Sequence, residues 1–226
     1  MSVIGSPTES RLLPLGRLEA FSDGVFAIAI TLLVIELHVP TGQEGLVAGL
    51  EHEWPRYLGY LVSFAFIGGV WMAHSNLTSF IKAMDARLMR LNLLLLLFVS
   101  LLPFTTAVVA THLFTSFHNF DHASNLTLGA ERLAVVIFGV NLTLAALMIY
   151  LVIRHASRTD GIPVDDVAES ELRNFSAERR LATWLQGAAT LLGTLLPFVA
   201  VLFYLSVSIF FVAEPFRLTL RRAARR

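Results

Sequence analysis

The sequence predicts an all-α, polytopic membrane protein with six transmembrane helices, and three observations predict it. Hydrophobic residues make up 55% of the 226 positions and charged residues 15%, for a mean hydropathy of +0.68, which is far from the composition of a water-soluble domain. Apolar runs recur along the chain at the length of about 20 residues that a helix needs to cross a hydrocarbon core of about 30 Å. The basic residues fall almost wholly in alternate polar segments, as they do when those segments share the cytoplasmic side. Basic and acidic residues number 17 each, which leaves no net field to hold nucleic acid. Without cysteine there is no disulfide framework, no thiolate metal site and no thiol nucleophile.

Residues 1–16 are polar, carry Pro7 and Pro14, and are expected to be a disordered cytoplasmic segment. The first apolar run, 21–37, is long enough to cross and has no small-residue cleavage site, so it reads as an uncleaved helix one. Further spans are expected at 57–80, 88–111 and 133–153. The last apolar stretch, 181–213, would be about 50 Å long as one helix, too long for one crossing. Gly193, Thr194 and Pro197 supply a break, because proline lacks a backbone donor and disfavours helix at the residue before it. That division makes six spans within a membrane domain over 17–213, followed by a basic cytoplasmic tail over 214–226.

The charges agree with this division. One side receives Arg11 and Arg17; Lys82, Arg87 and Arg90; Arg154, Arg158, Arg173, Arg179 and Arg180; and Arg217, Arg221, Arg222, Arg225 and Arg226. The other receives only Arg56 and Arg132. A single final span would put the arginine-rich tail opposite the arginine-rich 154–180 segment, so both termini are expected to be cytoplasmic. Segment 154–180 itself reads as a solvated linker with one short helix, begun near Ser176 and Glu178.

Ionisable groups inside a bilayer are costly and so call for a role. Asp23, with Ser22 beside it, lies just inside the cytoplasmic end of helix one, and Trp71 and His74 share a face at similar depth in helix two. Hydrogen bonds between these groups would join the two helices. They serve either to lock the helices together or to set the angle of a pore-lining helix. On a helical wheel Arg17, Phe21, Ile28 and Ile35 form a stripe flanked by Thr31 and Leu32, and Asp23 lies about 140° from Ile28. By itself such a stripe is more often lipid-facing or packed.

The run Arg17-Leu18-Glu19-Ala20-Phe21-Ser22-Asp23 and the Gly-Val-Phe-Ala-Ile-Ala-Ile-Thr that follows resemble the RxxxFSD signature of the transmembrane protein 175 family. Trp71 and His74, Leu91-Asn92, and Leu101 to Thr106 look like that family's later landmarks, with Thr105 in place of an expected proline. The resemblance implies a potassium-permeable, leak-type cation channel in the plasma membrane of a prokaryote. It implies a homotetramer in which helix one lines a central pore. Matched from Asp23, the constriction falls on Ile28, the nearby threonine on Thr31, and outward apolar positions on Leu32 and Ile35. It implies no enzymatic activity and no cofactor, only the permeant potassium and other monovalent cations. No TVGYG-like segment is present, so any preference for potassium would arise from the different dehydration costs of ions in an apolar neck.

Two other readings use the same residues. A proton-coupled or ion-exchanging transporter would employ Asp23 and His74, since both can relay protons. A membrane hydrolase would need Ser22, His74 and Asp23 in line, which neighbours 100° apart on one helix do poorly. Two loop features are weaker. Glu36, Glu44, Glu51 and Glu53 would draw cations to a mouth or simply be solvated, and His112, His118, Asp121 and His122 are of metal-binding type but read as a wet loop.

Overall fold

Aspartates and prolines mark where the helices start. Asp85 accepts the Leu88 N–H at 2.7 Å and opens one helix, Asp165 accepts the Ala168 N–H at 2.7 Å and opens another, and Pro55 sits in the first turn of a third. The computed structural model describes residues 14–35, 37, 45–113 and 125–223. In chain order the helices are α1 (Gly16–Ile35), α2 (Leu46–His52), α3 (Trp54–Phe80), α4 (Ala86–Ser100), α5 (Leu102–Leu113), α6 (Asn125–Ala156), α7 (Asp166–Leu192) and α8 (Pro197–Ala223). The fold is all-α; its one β-type contact among the described residues is an isolated antiparallel bridge between Ile81 and Pro163.

Four segments have the length and composition of a membrane span: Gly16–Ile35, Arg56–Phe80, Ala86–His112 and Gly129–Ala156. They match the first four spans expected from the sequence, and the chain is a multi-pass membrane protein. The third is broken at Leu101 into α4 and α5. Pro103 has no N–H for the preceding turn, and the hydroxyls of Ser100, Thr105 and Thr106 bond carbonyls of Leu97, Leu101 and Leu102 around the break.

The last two expected spans take a different form. The 154–180 segment is not a linker with a short helix at Ser176: α7 begins ten residues earlier at the Asp165 cap, and Ser176 is buried within it. A buried stripe of Ala168, Leu172, Phe175, Arg179, Ala182, Gln186 and Ala189 repeats at three and four residues and holds the whole helix against the bundle. Most of the segment's charges lie toward the outer face, where Glu169 pairs with Arg173, but Arg179 is fully buried with its guanidinium 5.0 Å from the Phe175 ring centroid. Exposed residues change from charged to apolar at Leu181, so only roughly a dozen residues of α7, about 18 Å, are membrane-like. The break expected at Gly193 to Pro197 is present as a turn, and α8 returns beside α7, apolar over Pro197–Phe210 and, in sequence, on through Ala213. The α8 backbone stays helical past residue 213, through the first part of the basic tail, to Ala223.

Helices α3 and α6 organise the packing. α3 lies against α1, α5 and α8, and α6 against α4, α5 and α7. The loops after α3 and α6 meet at one end, where the Lys82 N–H donates to Ile162 O and the Val164 N–H to Phe80 O, each at 2.9 Å. α1 begins at that same end, since Ser22 and Asp23 near its start meet residues late in α3 and early in α4. The core between the helices is dominated by Phe26, Phe66, Phe138, Tyr204 and aliphatic side chains that are almost fully buried.

Candidate functional site

Helix α1 has two faces with different fates. Leu18, Ser22, Phe26, Ala29 and Leu33, spaced at four and three residues, are buried against α3, α4 and α5. Between them runs the stripe expected from the sequence, and all of it is exposed on the single chain: Phe21, Ile28, Thr31, Leu32 and Ile35, with Arg17 at the start of the helix. Ile28 is 60% exposed and Ile35 71%. Only 22% of the α1 span is buried within the chain, against 44%, 44% and 56% for the other three, which puts α1 at the edge of the bundle.

Two hydrogen-bonded connections hold this helix at its angle. Trp71 Nε1 donates to Asp23 Oδ1 at 2.9 Å, tying α1 to α3. In the interior, Asn92 of α4 lies between the other two groups: its Nδ2 donates to Ser22 Oγ at 2.9 Å and its Oδ1 lies 2.9 Å from His74 Nε2. With Oδ1 as the acceptor, His74 carries its proton on Nε2. The Phe26 ring packs on the imidazole with centroids 5.7 Å apart, and Ser22, His74 and Asn92 are all nearly inaccessible. The structure thus brings together Ser22, Asp23, Trp71 and His74, as expected, but divides them into an outer pair and an inner triad.

Asn92 is the member that the reading of charged groups missed, because an amide carries no charge and its spacing alone does not place it beside Ser22. A second polar layer was also missed. Ser63 Oγ and Thr106 Oγ1 are 2.6 Å apart between α3 and α5, and Asn141 Nδ2 donates to Thr105 Oγ1 at 3.2 Å from α6. Thr105 and Thr106 belong to the Leu-Pro-Phe-Thr-Thr run noted in the sequence, and that was the available signal.

The same geometry separates the hydrolase constellation. Asn92 intervenes between Ser22 and His74, and Asp23 is hydrogen-bonded to Trp71 rather than to the imidazole. Of the loop features, Glu53 pairs with Arg56 at 2.5 Å and Glu51 is exposed, whereas Glu36 and Glu44 lie outside the described residues. His112 Nδ1 lies 3.0 Å from Val108 O, and His118, Asp121 and His122 fall outside the described residues.

Residues 17–103, which carry both connections and the exposed stripe, match the family profile described as the endosomal/lysosomal potassium channel TMEM175. A protein named potassium channel from Streptomyces collinus is 44% identical over 123 residues, covering 54% of this chain and 57% of that protein. The human endosomal/lysosomal proton channel TMEM175 is 40% identical over 97 residues, 38% of this chain and 19% of that protein. The chain spans about half the length of the bacterial relative and a smaller part of the human one. A crystal structure of a lysosomal potassium-selective channel TMEM175 homologue from Chamaesiphon minutus superposes with a TM-score of 0.72 at 30% identity, covering 88% of this chain and 97% of that one. With a signature region that matches the profile and a whole-chain likeness at that identity, this chain belongs to the TMEM175 family.

Proposed function

We propose that the protein is a potassium-permeable, leak-type cation channel in a prokaryotic plasma membrane, built as a homotetramer whose four α1 helices line one pore. The observation that carries this reading is the exposed apolar stripe on α1, turned away from the two connections that fix the helix. In the tetramer Ile28 forms the constriction, Thr31 lies beside it, and Leu32 and Ile35 extend the apolar neck outward. A neck of this kind excludes water, so each ion sheds hydration to pass, and potassium sheds it more easily than sodium. Channel names borne by the bacterial relative and the Chamaesiphon homologue support the same reading. No cofactor enters the mechanism; the only ligand is the permeant potassium or another monovalent cation.

In this reading the chain crosses six times with both termini cytoplasmic, α7 and α8 acting as the last pair. Support comes from the adjoining loops after α3 and α6, which share one end with the start of α1. Purified protein in a planar bilayer under a potassium gradient provides the test. Unitary currents that reverse toward the potassium equilibrium potential are expected; saturable exchange without unitary events would mean a carrier.

A second reading, proton conduction, is favoured by the name of the human relative. Buried His74 offers a titratable group, yet it is hydrogen-bonded to Asn92, which in turn donates to Ser22, and not to Asp23. The same bilayer with a pH gradient and symmetrical potassium distinguishes the two: a reversal potential that follows pH would replace potassium by the proton.

A further inference from the structure

A cleft of about 420 Å³ opens between the start of α4 and the end of α6, at the end of the bundle where the loops after α3 and α6 meet. Its volume lies within the range of about 300–1,000 Å³ usual for small-molecule sites. Three arginines line it, Arg87 of α4, Arg154 of α6 and Arg158 just beyond α6. Among the described residues none of the three forms an ion pair with a carboxylate. The carboxylate beside the cleft is already engaged: Asp85 accepts the Leu88 N–H and lies 2.8 Å from His155 Nε2. The cleft therefore holds an excess of positive charge that no ion pair among the described residues neutralises.

Its walls are graded. Leu91 follows Arg87 by one turn of α4, and Leu151 precedes Arg154 by about one turn of α6, so on both helices leucine lies deeper in the span than arginine. Planar guanidinium forks suit the oxygens of a phosphate, and apolar walls leading into the span suit what a phosphate carries when it is part of a lipid. Topology explains why arginines lie at this end, and the α6 C-terminus favours cations near Arg154. Neither accounts for three of them lining one concave space.

We infer that this cleft binds a phosphate-bearing anion at the cytoplasmic interface, either the headgroup of an anionic lipid or a free phosphate. The test uses the full-length protein in a zwitterionic detergent, titrated separately with phosphatidylglycerol, phosphatidylcholine and inorganic phosphate and read by native mass spectrometry. Saturable binding of about one phosphatidylglycerol per chain, without comparable phosphatidylcholine binding, is expected. The combined Arg87→Gln, Arg154→Gln, Arg158→Gln variant should weaken it at least about tenfold. Lys82→Gln, Arg90→Gln, Arg180→Gln, which removes as much charge outside the cleft, should leave it unchanged. Saturable inorganic phosphate binding that is lost with the cleft arginines, and that displaces the lipid, assigns the site to a free phosphate. Equal loss in both triple variants, or binding retained in the cleft variant, overturns the inference. If the cleft variant does not fold, Leu151→Trp fills the space with every arginine kept; undiminished binding in it overturns the inference equally.

Discussion

Ser22 and Asp23 are neighbours on one helix, and the 100° between them sends each to a different partner. Asp23 holds the Trp71 indole at the half-open edge of the α1–α3 contact, and Ser22 closes the buried chain through Asn92 to His74. Asp23→Asn keeps an acceptor oxygen for Trp71, whereas Asp23→Ala leaves the indole N–H without one, at a typical cost of about 1 kcal/mol. Asp23→Ala should therefore lower tetramer yield on size-exclusion chromatography with ion preference intact in the channels that form, and Asp23→Asn should recover most of the yield. Normal assembly with lost potassium preference would put Asp23 in the conduction path instead. Ile28 belongs to the opposite case, a side chain exposed on its own protomer. Ile28→Asn should widen and wet the neck and raise sodium current relative to potassium in single-channel recording. A larger change at the off-stripe Ile30 would move the pore to another face of α1.

Contacts between helices set two further outcomes. Gly139 of α6 lies where a Cβ would overlap the Tyr204 hydroxyl and Thr190 Oγ1, so α6, α7 and α8 approach closely only because that position has no side chain. Gly139→Ala should destabilise the bundle by about 1–3 kcal/mol. Adding Tyr204→Phe should recover part of the loss, because the hydroxyl is one of the overlapping groups; thermal melts of the single and double variants measure it. Asp85 acts at the other end, capping α4 and reaching His155 in the last turn of α6. Burial pushes its carboxyl up, but the Leu88 N–H, His155 and the Arg87 N–H outweigh this and hold it below the usual carboxylate range. A depressed carboxyl contributes stability above the ordinary carboxylate pKa and loses it as pH falls through the folded value. Asp85→Ala should thus cost about 1 kcal/mol near neutral pH. The difference from the parent protein should vanish in melts taken below the carboxylate range.

At the scale of the whole molecule, the paired loops after α3 and α6 make one end of the bundle, and the proposed topology puts residue 226 on that side. A C-terminal reporter active only in the cytoplasm should be active. Periplasmic activity there would mean that α7 and α8 do not form a crossing pair, and the proposed tetrameric pore would lose its geometry. The short membrane-like part of α7 makes this the most informative position to tag.

Composition, apolar run length and arginine placement were enough to establish an all-helical, multi-pass chain, because a bilayer demands long apolar helices whatever their neighbours. The stripe on α1 and the grouping of Ser22, Asp23, Trp71 and His74 were legible for a similar reason: helical periodicity and matching depth bring residues together before any packing is known. Packing decided the rest. Asn92 joined the network only once α4 lay beside α1 and α3, since an uncharged amide gives no signal of its partners. The 154–180 segment read as a linker because its charges outnumber its apolar residues; as a helix it buries one stripe, Arg179 included, on the bundle and leaves most of the other charges outside. The arginine cleft likewise joins residues more than sixty positions apart, and only the contact between α4 and α6 makes their separate topological signals a single concave site.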